Sequence, residues 1–357
     1  MLKNLPLRKF PELDAIRFIS IVLVVMHHQF FEQNNFLGWF ARYGWVGVDI
    51  FFVLSGYLIS SLLMEELKNT GTINLRKFWL RRMLRLWPSW LVTLGFSILM
   101  VWFISRHNPE LRSELLDKWW HYLFHLGNYS QAIAGKLHNF FSIFWSLSVE
   151  EHFYLFWPLI LLLFRHKNWL LTSMILLLTV AWGFRYWHLT KGDLVLAKLA
   201  THSRIDSIIW GCLLTFVIPR MGRLKPMVEV VITLIMLTLF YLGLHYFDNN
   251  AEWILLDSLS FTVISLATCL LIIIALKGNR SGMRAVLSLQ PLARLGVLSY
   301  GVYLIHLHVN YSIFALLKQW SVIQDQNLIM LINLIIPFVV AYIMFRFIDQ
   351  HFAKYRP

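Results

Sequence analysis

Long apolar runs, separated by short polar connections, recur along the whole chain. A helix that crosses a bilayer needs about 20 predominantly apolar residues. Runs of this kind predict spans near 13–32, 44–64, 86–104, 143–164, 169–188, 205–218, 227–245, 254–276, 294–316 and 328–348. The pattern therefore predicts an all-α membrane protein, a bundle of about ten transmembrane helices.

The connections between these runs are too short to hold a second domain. The longest, 105–142, is rich in aromatic residues and shorter than an independent soluble domain. We therefore expect residues 1–357 to form a single membrane domain with no appended soluble domain. Charged and histidine residues interrupt the first run, and no small-residue cleavage site follows it, so we interpret it as a retained span and not as a signal peptide.

Composition agrees with a membrane protein. Hydrophobic residues make up 58% of the chain and charged residues 14%, whereas about 25% of a soluble domain is charged. The net charge of +13 does not indicate a nucleic-acid partner, because Lys and Arg lie in the short connections and form no stripe on a soluble domain. Lys and Arg are about twice as frequent in the connections on the N-terminal side of the membrane as in those on the other side. This bias predicts that both termini are cytoplasmic. Cys212 and Cys269 lie inside apolar runs, so no metal site is expected.

The first span carries two ionisable residues, Arg17 and His28. Such a group inside a bilayer costs about 2.5–3.5 kcal/mol on insertion scales, so it normally faces a cavity or a partner. Eleven residues make almost three helical turns, which places both side chains on one face, roughly 16 Å apart along the axis. They could line one channel. The alternative is an arginine that reaches the membrane surface and a histidine bonded to a neighbouring carbonyl.

The second span begins with a run of small residues that contains Asp49, at a depth comparable with that of His28. Gly and Ser in this run allow a neighbouring helix to approach closely. An aspartate at this depth could hold the tautomer of a catalytic histidine, and it could equally cap the start of its own helix.

Before the third span, Arg82 and Arg85 share a helical face. Paired guanidinium groups suit phosphate binding, and contacts with anionic lipid heads are the alternative.

Three later spans also contain polar side chains where apolar ones would be ordinary. The fourth begins with Glu150 and Glu151, and either acid could stabilise the start of that helix. The residues concerned in the sixth and ninth spans are Arg204, Asp206, Tyr300, Tyr303 and His306. The two tyrosines and the histidine fall on one helical face; an interfacial aromatic belt would account for the tyrosines but less well for the histidine.

Taken in order, these motifs resemble the acyltransferase 3 family of bacterial membrane O-acyltransferases across nearly the whole chain. The matching stretches are Asp14 through Arg17 to His28, Gly47 to Gly56, Arg82 to Arg85 before Pro88, Trp145 to Glu151, Arg204 to Asp206, and Ser299 through Tyr303 to His306. Two departures are His152, where the family usually has Gln, and the absence of a proline soon after His306. Neither removes a proposed catalytic group.

The resemblance implies an O-acetyltransferase in the bacterial inner membrane. Such an enzyme transfers an acyl group, commonly acetyl, from cytoplasmic acyl-CoA to a saccharide hydroxyl. It also implies functional roles for Arg17, His28, Arg82 and Arg85. The expected acceptor is a surface polysaccharide such as the O-antigen of lipopolysaccharide or an exopolysaccharide, with a lipid-linked glycan as another candidate. The partners expected are therefore this glycan and the lipid bilayer.

The motifs and the resemblance together suggest one mechanism. Arg82 and Arg85 would hold the phosphates of coenzyme A, and the acyl arm would pass Arg17 to reach His28. His28 would act as general base, because histidine titrates near neutral pH. Asp49 would orient His28, and Glu150 would complete the catalytic group. The residues expected to bind the acceptor or relay a proton are Glu151, Arg204, Asp206, Tyr300, Tyr303 and His306.

Two alternatives remain open from the sequence. An acyl-enzyme intermediate would need a nucleophile, but neither cysteine lies in a matching motif, so direct transfer is simpler. A transporter or flippase could use Arg17, His28 and Glu150 as a proton pathway. Transporters often contain two similar halves, and no motif repeats between 1–170 and 180–357.

Overall fold

A computed structural model of the protein describes residues 10–29, 36–106, 113, 117–135, 140–164, 166–246, 254–320 and 326–357. In this part of the chain every regular element is helical, which confirms the predicted all-α class. The longer helices are α1 (Pro11–His27), α3 (Val46–Thr70), α4 (Leu75–Ile104), α7 (Phe144–Leu163), α8 (Lys167–Thr190), α10 (Thr201–Val217), α11 (Pro226–Tyr246), α12 (Ile254–Lys277), α15 (Ser299–Trp320) and α16 (Gln326–Met344). The shorter ones are α2 (Phe36–Tyr43), α5 (Trp119–Leu123), α6 (Gly127–Ile133), α9 (Leu194–Leu199), α13 (Met283–Leu287), α14 (Gln290–Val297) and α17 (Gln350–Ala353), with a π-helical turn at Phe345–Asp349.

Within the described residues, six helices are long and apolar enough to cross a membrane. They are α3, α4, α8, α11, α12 and the run Leu328–Ala353, which joins α16 to α17. A seventh span arises if α14 and α15, which meet at 65°, count as one broken helix. Helices α1 and α10 have only 17 residues each, short of the length of about 20 that usually crosses a bilayer. A multi-pass membrane protein is therefore established, and the full number of ten spans stays a prediction.

Glycines set the distance between α3 and the helices on either side of it. A Cβ atom on Gly56 would lie 1.9 Å from the carbonyl oxygen of Ile208 in α10, and one on Gly211 would lie 2.0 Å from that of Val53 in α3. Gly47 approaches the carbonyl of Ser20 in α1 in the same way, at 2.3 Å. Real Cβ atoms do not come this close to backbone atoms, so these positions need glycine. The small residues of the second span therefore pack helices, as the sequence predicts.

Helix α1 lies inside the bundle, against α3, α14 and α15. Leu13, Ile16, Ile21 and Val24 have at most 1% of their surface exposed, which explains how so short a helix is held. Because its neighbours come from both ends of the chain, they bring distant motifs together around α1.

Candidate active site

Residues from α1, α3, α4, α7, α15 and the C-terminal tail surround a cavity of about 340 Å³. Its polar lining residues are Asp14, Arg17, Ser55, Arg82, Arg85, Ser146, Glu150, Tyr154, Ser299, Tyr300, Tyr303, Asp349 and Arg356. Six of the residues singled out in the sequence are among them: Arg17, Arg82, Arg85, Glu150, Tyr300 and Tyr303. Phe10 and Arg356 both line the cavity, so the cavity lies on the side of the bundle where the two ends of the described chain come together.

Four arginines line this cavity among the described residues: Arg17, Arg82, Arg85 and Arg356. Arg82 and Arg85 lie near the start of α4. The Asn74 side chain caps this helix by accepting a hydrogen bond from the Lys77 amide. At a spacing of three residues, both reach the same side. Four guanidinium groups around one small cavity form a site suited to a polyanion.

Arg17 and Arg82 are held by different partners. Arg17 donates to Asp14, one turn earlier in α1, at 2.5 Å. The Arg82 guanidinium lies over the ring of Tyr154, 5.7 Å from its centre, and is near Glu150. The cavity therefore combines fixed cations with an acidic group at its wall.

Arg356 is positioned by a backbone carbonyl that the proline in α4 leaves without a helical hydrogen bond. Pro88 has no amide hydrogen, so the carbonyl of Leu84 lacks its helical donor, and Arg356 Nη2 lies 3.5 Å from that oxygen. Burial lowers the pKa of the Arg356 guanidinium and the nearby Asp349 opposes this, but arginine stays charged over the whole working range of pH. Asp349 is itself held by the Ser89 hydroxyl at 2.5 Å.

Glu150 is fixed at the wall of the cavity by two hydroxyl groups. Ser55 donates to its Oε1 at 2.8 Å, and Tyr154 donates to its Oε2 at 2.8 Å. These bonds orient the carboxylate, which suits a group that must act on a substrate in one defined position. Glu151 does not line the cavity and instead hydrogen-bonds to Trp87.

His28 follows directly after α1 and makes contact with the ninth predicted span instead of the second. Its Nδ1 lies 2.9 Å from the carbonyl oxygen of Val24 and 3.3 Å from Nε2 of His306. Neither histidine lines the cavity. Tyr303 lies between, because it lines the cavity and its ring centre is 5.6 Å from that of His306. The Tyr303 hydroxyl is 2.5 Å from Ser146 Oγ, also at the cavity wall.

Asp49 does not orient His28, which corrects the expectation from the sequence. Its Oδ1 accepts from Arg204 Nη2 at 2.6 Å and from the Ser207 hydroxyl at 3.1 Å. The helix-cap alternative is not seen either, because α3 begins without a side-chain cap. The sequence indicates how deep Asp49 and His28 lie in their spans, but not which helix faces each of them. In the structure α10 presents Arg204 to Asp49 in the buried interior.

Arg204 and Asp206 belong to a buried charge cluster outside the cavity lining. Asp206 accepts from Arg185 Nη2 at 2.8 Å and from Nη1 at 3.1 Å. Arg204 lies over the ring of Phe261, 3.5 Å from its centre. All four charged groups, including Asp49, are at most 1% exposed. The geometry therefore shows these residues joining α3, α8 and α10, and a role in proton relay stays a prediction.

Several residues of the two clusters were not singled out in the sequence. Arg185 lies inside the fifth predicted span, so the rule that drew attention to Arg17 would also have found it. Tyr154 lies one turn after Glu150, a spacing that allows contact. Ser55 stands inside a matched motif. Asp349 and Arg356 had no local signal, because only the return of the tail to α4 brings them to the cavity.

Known proteins similar to this chain are named as O-acetyltransferases. The peptidoglycan O-acetyltransferase OatA of Listeria monocytogenes is 28% identical over 376 residues, covering 97% of this chain and 56% of the relative. The O-acetyltransferase OatA of Staphylococcus aureus is 28% identical over 372 residues, with 97% and 58% covered. The chain thus spans little more than half the length of these curated relatives. No solved structure matches it.

The family model described as an acyltransferase domain matches residues 10–346. This match includes every motif on which the resemblance rests and all the residues around the cavity except the C-terminal ones. The resemblance expected from the sequence is therefore confirmed: the chain belongs to the acyltransferase 3 family.

Proposed function

We propose that this protein is an integral membrane O-acetyltransferase that takes an acetyl group from acetyl-CoA and transfers it to a hydroxyl of a cell-surface saccharide. The observation that carries the proposal is the cavity lined by four arginines; Tyr303 at its wall packs against His306, which in turn contacts His28. We propose that it lies in the bacterial inner membrane with the cavity open to the cytoplasm. The excess of Lys and Arg on the side of the termini supports this orientation.

The charge of the cavity supports a coenzyme A donor. Its lining holds four arginines against three carboxylates, Asp14, Glu150 and Asp349. Coenzyme A carries a diphosphate and a further phosphate, and guanidinium groups bind phosphate oxygens through paired hydrogen bonds. Arg82, Arg85 and Arg356 would hold these phosphates near the mouth, and Arg17 would lie along the path of the pantetheine arm. Since Tyr303 separates the cavity from the histidines, the thioester must pass its side chain to reach His28.

Direct transfer with His28 as general base requires the fewest groups. Nε2 of His28 takes the proton of the acceptor hydroxyl while that oxygen bonds to the thioester carbonyl carbon. The carbon–sulfur bond then breaks, and the thiolate leaves as coenzyme A after receiving the proton. Cys212 and Cys269 are buried and do not line the cavity, so neither serves as an acyl carrier there. The transporter alternative is not supported by the family or by the relatives.

The acceptor has two candidate classes that an assay separates. The sequence suggests a surface polysaccharide, and the printed name of the Listeria relative specifies peptidoglycan. Both present saccharide hydroxyl groups. Mass spectrometry of peptidoglycan fragments and of surface polysaccharide, from cells with and without the gene, would show which glycan gains acetyl groups in place of hydroxyl hydrogens.

The donor proposal is tested with purified protein in lipid nanodiscs and radiolabelled acetyl-CoA. We expect Arg82→Gln and Arg85→Gln each to raise the KM for acetyl-CoA about 10- to 100-fold, as expected for loss of a charge-assisted contact worth about 1.5–3 kcal/mol. Arg81→Gln is the matched control, because Arg81 is on the same helix, faces Glu66 at 3.8 Å and does not line the cavity. An unchanged KM in both cavity variants, or an equal rise in the control, would contradict phosphate binding here.

A further inference from the structure

The hydrogen bonds around His28 define which of its nitrogens carries the proton. Nδ1 lies 2.9 Å from the carbonyl oxygen of Val24, and a carbonyl oxygen can only accept. Nδ1 therefore carries the hydrogen, and in the neutral ring Nε2 keeps its lone pair. Among the described residues none hydrogen-bonds to Nε2 of His28. The nitrogen that a general base needs is therefore the one left free.

The same reasoning assigns the proton of His306. Its Nδ1 is 2.7 Å from the carbonyl oxygen of Tyr303, so Nδ1 carries the hydrogen and Nε2 is an acceptor in the neutral ring. That Nε2 faces Nδ1 of His28 at 3.3 Å. The His28 Nδ1–H is therefore the only donor available between the two rings, and it is shared between Val24 and His306. His306 has 0% of its surface exposed, so water does not compete for this position.

A second bond from the same helix holds the backbone of His28. Asn310, one turn after His306 in α15, donates through Nδ2 to the carbonyl oxygen of His28 at 3.3 Å. The ring centres of His28 and His306 are 5.0 Å apart with planes at 63°, an edge-on arrangement that suits a ring nitrogen pointing at its neighbour. Helix α15 thus fixes both the ring and the main chain at the end of α1.

We propose that His306 is the positioning residue of His28, occupying the place that an aspartate takes in a catalytic triad. This inference rests on the proposed function. When the acceptor oxygen attacks the thioester, its proton moves to His28 Nε2, and the positive charge is stabilised through Nδ1–H to Nε2 of His306. The same Nε2 proton then passes to the departing thiolate, which leaves both histidines neutral. Asp49 does not take this place, because its hydrogen bonds go to Arg204 and Ser207 instead.

Three variants test this role by kinetics. His306→Leu removes the acceptor, and His306→Gln keeps an acceptor near the position of Nε2. His308→Leu is the matched control, since His308 is also buried in α15 but its Nε2 lies 2.7 Å from the Ser97 hydroxyl, away from His28. We expect His306→Leu to lower kcat about 10- to 100-fold, the usual effect of losing an orienting partner of a histidine, with the KM for acetyl-CoA within about twofold. His306→Gln should recover most of the loss, and the control should keep kcat within about threefold of the unsubstituted protein.

Two kinetic results would overturn the proposal: wild-type kcat in His306→Leu, or no recovery in His306→Gln while both variants unfold at the wild-type temperature. A second measurement does not depend on activity. In bilayers containing ¹⁵N-histidine-labelled protein, NMR should show His28 and His306 both protonated on Nδ1, with the His28 signals identified by their loss in His28→Gln. A proton on Nε2 of either neutral ring overturns the proposal. Absence of acetyl transfer with these tautomers present would instead refute the proposed function.

Discussion

The close contact of α3 and α10 makes Gly211 a sensitive position of the bundle for a direct test. In Gly211→Ala, the added methyl carbon would lie 2.0 Å from the carbonyl oxygen of Val53 and 2.9 Å from the amide nitrogen of Tyr57. Both are backbone atoms, so no side chain can rotate away. To restore an ordinary contact of 3.4 Å, the two helices must separate by about 1.4 Å.

This separation acts on the buried ion pair between the same helices. The Arg204–Asp49 contact of 2.6 Å would lengthen to about 4 Å, beyond hydrogen-bonding distance. Overpacking alone costs about 1–3 kcal/mol, and weakening a buried ion pair adds to it because each charge loses its partner in a dry interior. We therefore expect Gly211→Ala to lower the free energy of unfolding by at least about 3 kcal/mol.

The assay is SDS-induced unfolding in mixed micelles, followed by the circular dichroism of the helices. Gly183→Ala is the matched control, because a Cβ there meets no atom within 4 Å; it should change the free energy of unfolding by no more than about 1 kcal/mol, the difference in helix propensity. If Gly211→Ala unfolds at the same SDS fraction as this control, the two backbones do not approach as closely as the structure shows and the reasoning is refuted.

Three further outcomes follow from the charges. Replacing Glu150 by Gln should lower kcat about 10-fold or more because the oriented carboxylate is lost, whereas Glu65→Gln, on the exposed face of α3, should leave kcat unchanged; equal rates in both would contradict a role for Glu150. Arg204→Leu should destabilise by about 3–5 kcal/mol, and adding Asp49→Leu should restore most of it; a double variant no more stable than the single one would show that the pair is not isolated. Raising the ionic strength from about 0.1 M to about 1 M shortens the screening length from about 10 Å to about 3 Å, so the KM for acetyl-CoA should rise, and a salt-independent KM would argue against arginine binding of its phosphates.

The cavity and the histidine pair divide the proposed reaction between two regions of the bundle. The arginines are placed by α1, α4 and the tail, whereas the reacting nitrogen depends on α15. Tyr303 belongs to both, because its hydroxyl meets Ser146 at the cavity wall and its carbonyl oxygen accepts a hydrogen bond from His306 Nδ1.

The sequence by itself determined the helical class, the apolar runs and the identity of the polar residues inside them. Period and spacing also placed Arg82 and Arg85 on one face, and both do line the cavity. These features depend on the helix to which each residue belongs, and a local pattern describes a single helix well. For the same reason the glycines of the second span could be interpreted correctly before any neighbour was known.

Only the tertiary structure decided which helices face each other. It paired Asp49 with Arg204, 155 positions away, and His28 with His306, 278 positions away. It also brought Arg356 to the carbonyl that Pro88 leaves without a donor. In a membrane every helix is apolar outside, so hydropathy carries no information about which surfaces meet. The choice is made by close packing of small residues and by the need of each buried charge for a partner, and both depend on the whole bundle.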